Sequence, residues 1–133
     1  MILVDSSVWI DYFNGVKNEQ TDFLHDGLGS QTFVTGDLIL VEVLQGFKTE
    51  KAFKQSNHIF TELFYFDMLG KEVALQAASH YRFLRKRGFT IRKTIDVMIA
   101  TFCIVHEISL LHNDKDFKIA ESQLGLQVIH FKS

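Results

Sequence analysis

Five acidic residues occupy positions that a water-soluble fold seldom gives to carboxylates: Asp5, Glu42, Asp96, Asp114 and Asp116. Asp5 follows the apolar run Ile2-Leu3-Val4 and precedes Ser6-Ser7. It fits a helix N-cap, where Asp and Ser are favoured, and it also fits a carboxylate at the C-terminal edge of a strand. Glu42 lies within Leu38-Ile39-Leu40-Val41-Glu42-Val43-Leu44. A charge there is costly unless it is paired, metal-bound or confined to a narrow polar stripe. Asp96 opens the most apolar run in the chain, Ile95 to Val105, where a first-turn acid complements the helix dipole. Asp114 and Asp116 follow Ser109-Leu110-Leu111-His112-Asn113; turn formation and helix capping account for one of the two better than for both. Like charges gathered in one place repel, and without a cation some of them take up protons. Hard oxygen ligands, with one cysteine in the chain and no HExxH spacing among six histidines, suit Mg²⁺ or Mn²⁺ rather than zinc. A divalent cation in such a setting activates water and polarises phosphoryl oxygens, which is the chemistry of phosphodiester hydrolysis.

The elements that must position these acids follow from the apolar pattern. Ile2 to Val4, Ser109 to His112 and Leu126 to Phe131 read as short strands bounded by Asp, Asn or Gly. Thr32 to Thr35 and Phe64 to Phe66 are weaker ones. Helical patterns cover Ser7 to Phe13, Glu19 to Leu28, Asp37 to Gln45, Glu50 to Leu63, Lys71 to Arg87, Thr94 to Glu107 and Asp116 to Gln123. Strands alternating with helices predict an α/β domain with a parallel sheet covered on both faces. In such a sheet, ligands sit beyond the carboxyl ends of the strands, where Asp5 and Asp114 are placed. The chain has 133 residues, no proline and no linker-like or repetitive stretch, so residues 1–133 are expected to form a single domain. The start, MILVDSSVW, has no basic n-region, and no apolar stretch reaches the ~18 residues of a membrane span, so a cytoplasmic protein without membrane attachment is expected.

Fourteen Lys and Arg against sixteen Asp and Glu give a net charge of −2, which does not by itself indicate a nucleic-acid partner. Setting aside the five acids above leaves fourteen basic and eleven acidic residues, a surplus of three positive charges. Arg82, Arg85, Lys86, Arg87, Arg92 and Lys93 fall in one stretch without an acid. Arg85 to Arg87 suit a helix C-terminus; Arg92 and Lys93, just ahead of Asp96, are the candidates for holding phosphates. No phosphate-cradling GxxxxGK[ST] or GxGxxG loop is present, so a nucleotide cofactor is not expected.

MILVDSSVWIDYF, Leu40-Val41-Glu42-Val43-Leu44-Gln45-Gly46, Thr94-Ile95-Asp96-Val97-Met98-Ile99-Ala100 and Leu111-His112-Asn113-Asp114-Lys115-Asp116-Phe117 together resemble a PIN-domain ribonuclease, specifically the VapC-type toxin of a bacterial toxin–antitoxin pair. The resemblance implies a three-layer α/β/α sandwich with a central, mainly parallel sheet and an acidic Mg²⁺ or Mn²⁺ site. By matching position it assigns Asp5, Glu42, Asp96 and Asp114 to the acidic quartet, Asp116 to a fifth acid and Ser6 to an assisting hydroxyl. His112 departs from the Thr or Ser of many relatives. In this reading Asp5, Asp96 and Asp114 are the main ligands and Glu42 orients the attacking water. Asp116 is a further ligand or holds one in place. The resemblance also implies endonucleolytic cutting of RNA to 5′-phosphate and 3′-hydroxyl ends, a homodimer, and neutralisation by a cognate VapB-like antitoxin. Two other functions share the same acids: a housekeeping RNA-processing or DNA-cutting phosphoesterase, and a non-catalytic Mg²⁺-binding signalling or interaction module. Against the last, receiver-like domains need adjacent early acids, whereas Asp5 is followed by serines.

Overall fold

The computed structural model describes residues 1–131. Four strands, β1 (Ile2–Val4), β2 (Phe33–Gly36), β3 (Phe64–Phe66) and β4 (Ser109–Leu111), form a sheet in the order β3-β2-β1-β4. All three pairings are parallel. The chain steps outward from β1 through β2 to β3 and then returns to the far side of β1. The direction of strand order therefore reverses between β1 and β4, the point beyond whose carboxyl ends sheets of this kind place their ligands.

Seven helices connect the strands: α1 (Ser6–Phe13), α2 (Glu19–Gly27), α3 (Asp37–Leu44), α4 (Glu50–Thr61), α5 (Lys71–Lys86), α6 (Thr94–His106) and α7 (Asp116–Leu124). α1 packs on α2 and α3, and α3 on α4; α6 packs on α5 and α7. These two groups cover the two faces of the sheet, giving the expected α/β/α sandwich. Burial follows from this arrangement: Leu3 and Val4 point to opposite faces of β1, yet both are fully buried, as are Leu110 and Leu111 of β4. α6 is buried nearly all round, through Val97, Ile99, Ala100, Phe102 and Cys103, and it carries Asp96 into the interior. Trp9 joins α1 to α4 by an edge contact with Phe60 (centroids 4.9 Å apart) and stacks on Phe13 at 5.7 Å. It is fully buried in the core.

Gly36 ends β2 and caps α3, the helix that carries Glu42. A Cβ there would fall 2.6 Å from the Phe66 carbonyl oxygen and collide with the Met68 side chain. This close approach lets β2 lie against the segment after β3.

One expected element is much reduced. Leu126 to Phe131 does not form a strand, and only Val128 makes a parallel bridge, to Leu110. Gly125 (φ 78°) ends α7 in the left-handed region, and the chain then touches β4 through Leu110 N–H to Gln127 O and Ile129 N–H to Leu110 O. A three-residue β4 leaves little edge for a longer partner. No helix among the described residues is long and apolar enough to cross a membrane.

Candidate metal centre

The β1–β4 pairing continues one step past the strands, with the Asp5 amide donating to the Leu111 carbonyl at 2.9 Å. This sets Asp5 and the segment after β4 side by side. Both readings of Asp5 hold at once. Its Oδ2 caps α1, accepting from Ser7 N–H (3.0 Å) and Ser7 Oγ–H (2.6 Å). Its Oδ1 is buried with no partner. Asp96, in the first turn of α6, is also buried, and its Oδ2 is likewise without a partner.

Asp114 and Asp116 are fixed by the turn into α7. Asp114 Oδ1 accepts from the Asp116 amide (3.0 Å), and the Asp114 amide donates to His112 Nδ1 (3.2 Å). Burial lowers the His112 pKa and so keeps Nδ1 free to accept; the ring also leans on Phe117. The departure at His112 therefore serves the loop that carries Asp114. Asp116 is buried, with Oδ2 receiving Arg92 Nε–H at 3.3 Å. Glu42, half-buried on α3, accepts Ser6 Oγ–H through Oε1 at 3.0 Å.

Asp96, Asp114 and Asp116 each offer an oxygen within 4.8 Å of the other two. Asp5 and Glu42 lie beside this trio rather than in it, and their charges are felt within it. Burial pushes the Asp96 carboxyl up to about 7, helped by the charges of Asp5, Asp114 and Glu42 and opposed by Lys93. Burial raises Asp5 to about 6, opposed by the Ser7 hydrogen bonds and helped by Glu42. All five sequence-selected acids therefore lie near one another beyond the ends of β1 and β4. Three acids whose oxygens can reach a common point, with one of them (Asp96) and neighbouring Asp5 each holding a buried oxygen without a partner, fit a hard divalent cation, which would satisfy these oxygens and offset the repulsion.

The sequence pointed to Ser6 as the helping hydroxyl; the structure adds Ser7, which holds Asp5 while Ser6 holds Glu42. Ser7 Oγ also accepts the Asn113 amide (3.1 Å). Asn113 Nδ2 in turn donates to Asp11 Oδ2 (3.3 Å), which also receives Asn18 Nδ2 (3.4 Å). The N-cap preference for a hydroxyl near Asp was visible in the sequence, but the link to Asn113 spans 106 residues and was not. Ser7→Ala is expected to cost about 1–2 kcal/mol in urea unfolding, because it leaves the Asn113 amide without an acceptor and removes a short bond to Asp5. Elsewhere, Arg85 lies over Tyr81 and Arg87 over Phe83, consistent with their reading as a helix end. Burial raises the Cys103 thiol far above its usual range, so it is an inert core residue. A cavity of about 590 Å³ at the opposite end of the sheet, lined by Gln31, His58 and Phe64 among others, includes none of the five acids.

The VapC ribonuclease Mb1587 of Mycobacterium bovis is 26% identical over 137 residues, covering 99% of this chain and all of that protein. Ribonuclease VapC1 of Methanocaldococcus jannaschii is 31% identical over 127 residues, covering 96% of this chain and 85% of the relative. Among solved structures, VapBC2 from Rickettsia felis, bound to a DNA fragment from the promoter, superposes with a TM-score of 0.79 at 17% identity, covering 99% of this chain and 100% of that one. FitAB bound to the IR36 DNA fragment superposes with a TM-score of 0.73 at 20% identity, over 100% of this chain and 99% of that one. The family model described as PIN domain matches residues 2–122, and with these relatives it shows that the chain belongs to the PIN-domain family, in its VapC-type branch.

Proposed function

We propose that the protein is a metal-dependent endoribonuclease toxin, one PIN-type unit over residues 1–133, restrained by a cognate VapB-like antitoxin. The observation that carries this reading is the trio of Asp96, Asp114 and Asp116, whose oxygens lie within 4.8 Å of one another, with a buried, unpartnered oxygen on Asp96 and another on neighbouring Asp5. Mg²⁺ or Mn²⁺ bound there supplies a Lewis acid that activates water and neutralises charge on the phosphoryl oxygens. Asp96, Asp114 and Asp116 are the holding residues, with Asp5 presenting its free Oδ1 from the end of β1. Glu42, kept in place by Ser6, orients the attacking water. Arg92 and Lys93 stand at the edge of the acids, where they receive the phosphates of an RNA strand. The toxin–antitoxin complexes among the solved neighbours support the antitoxin partner. Homodimerisation and a cytoplasmic location complete the proposal.

The test is incubation of the purified chain with total RNA and with DNA of matched length, with Mg²⁺, with Mn²⁺ and with a chelator. The expected result is a small set of internal RNA cuts with 5′-phosphate and 3′-hydroxyl ends, lost with the chelator and suppressed by the co-expressed antitoxin. Cleavage of DNA alone, or no cleavage with either metal, overturns the proposal.

A further inference from the structure

Among the described residues, Arg92 is the one Lys or Arg whose charged group lies within 4.0 Å of a carboxylate, and that carboxylate belongs to the metal-holding trio. Arg92 Nε lies 3.3 Å from Asp116 Oδ2. The two partners are unalike: the Arg92 side chain is 62% exposed, whereas that of Asp116 is 6% exposed. The carboxylate is fixed at the start of α7 by its place in the core, while the guanidinium reaches it from water on a long stem, out of the segment between α5 and α6. A pair so exposed on one side is weak and easily exchanged for another cation. The residue after it, Lys93, lowers the pKa of Asp96, so this segment brings positive charge to two members of the trio, Asp96 and Asp116.

We propose that Arg92 is a displaceable counter-ion of the metal centre: a positioning residue that occupies Asp116 when no divalent cation is bound and turns to the substrate phosphate when one is. This rests on the nuclease reading above for the identity of the substrate, though not for the competition itself. Asp116 presents one buried carboxylate to two claimants, a guanidinium and a hard ion. A divalent ion shared by three acids outbids a single, partly solvated guanidinium. Its arrival places two like charges side by side, which drives the mobile one outward. Arg92 then stands at the edge of the acids with its planar donor fork free, a group suited to a phosphodiester. The coupling runs both ways by linkage: metal binding frees the arginine for RNA, and a phosphate that takes the arginine makes room for metal. A fixed arginine that merely propped Asp116 in place would have the opposite effect, since its loss would loosen a ligand and weaken metal binding.

The experiment compares wild type, Arg92→Gln and Arg92→Lys by Mn²⁺ titration without RNA, following the free aqua ion by electron paramagnetic resonance, and then by steady-state RNA cleavage. With a positive charge removed from beside the ion, R92Q is expected to bind Mn²⁺ about three- to tenfold more tightly at low salt, the gap closing near 0.5 M salt. In cleavage, R92Q raises KM for RNA about tenfold with kcat changed far less, and R92K restores most of both properties. Equal or weaker Mn²⁺ binding by R92Q overturns the proposal, as does tighter binding that persists unchanged at high salt. If wild type cuts no RNA but R92Q still binds Mn²⁺ more tightly, the nuclease reading fails while the competition stands.

Discussion

Asp5→Asn is expected to remove RNA cleavage and, in the metal-free protein, to raise stability. The asparagine keeps the shape: its carbonyl oxygen can accept the two Ser7 hydrogen bonds that Asp5 Oδ2 accepts, so the cap on α1 survives. Its amide nitrogen replaces the unpartnered Oδ1 and turns a donor toward the other acids. A buried charge that burial and Glu42 both disfavour is thereby removed. Catalysis loses an anionic oxygen at the end of β1, and a loss of about 4 kcal/mol of transition-state stabilisation corresponds to about a thousandfold in rate. Stability moves the other way, by about 1–2 kcal/mol, or about 5 °C in Tm for a chain of this size. Asp96→Asn is expected to do the same, as Asp96 feels Asp5, Asp114 and Glu42 together. Most substitutions destabilise, so lost activity with raised Tm is a distinctive outcome. Cleavage within tenfold of wild type in both variants, or a lowered Tm in the chelated protein, would remove these acids from the centre.

The metal-free protein is expected to lose stability as the pH rises from about 4 to about 7, and divalent metal to restore it. In the unfolded chain an Asp ionises near 3.8, whereas folded Asp5 holds its proton to about 6 and folded Asp96 to about 7. Between those values the native state binds more protons than the unfolded state, so raising the pH favours unfolding until both groups are ionised. For Asp5 alone, a shift of about two pH units is on the order of 3 kcal/mol. Metal competes with these protons, so the Tm gain at saturating Mg²⁺ or Mn²⁺ should be small at pH 5, grow through pH 6–7 and level off by pH 8. Differential scanning fluorimetry across that range, with and without chelator, reads both effects. A Tm gain that is flat with pH would mean that the ion binds elsewhere.

What was legible in the sequence and what was not divide along physical lines. Burial and periodicity are local, so Ile2–Val4, the helices and the discomfort of Glu42 within an apolar run could be read directly. Strand ends were read as the place for ligands, and the β1–β4 register sets the strand before Asp5 beside the strand before Asp114. The division of labour among oxygens was out of reach, because it depends on atoms rather than residues. Asp5 was weighed as either cap or ligand, whereas one oxygen caps and the other is left free. The bond between Arg92 and Asp116 joins residues 24 apart, and that between Ser7 and Asn113 residues 106 apart; neither has a periodic signature. Leu126 to Phe131 misled because β-type composition describes a willing strand and is silent about how much partner edge awaits it.

The sheet order has a consequence for how the chain comes into being. β1 is made first, but its neighbour β4 is made more than a hundred residues later, and Asp114 and Asp116 come after β4. A nascent polypeptide that has emerged only through α6 carries Asp5, Glu42 and Asp96 yet lacks the rest of the trio. Parallel neighbours so distant in sequence also close late during folding. Synthesis order thus delays the site: Asp5, Glu42 and Asp96 wait on β4 and the turn into α7 before the acids can meet.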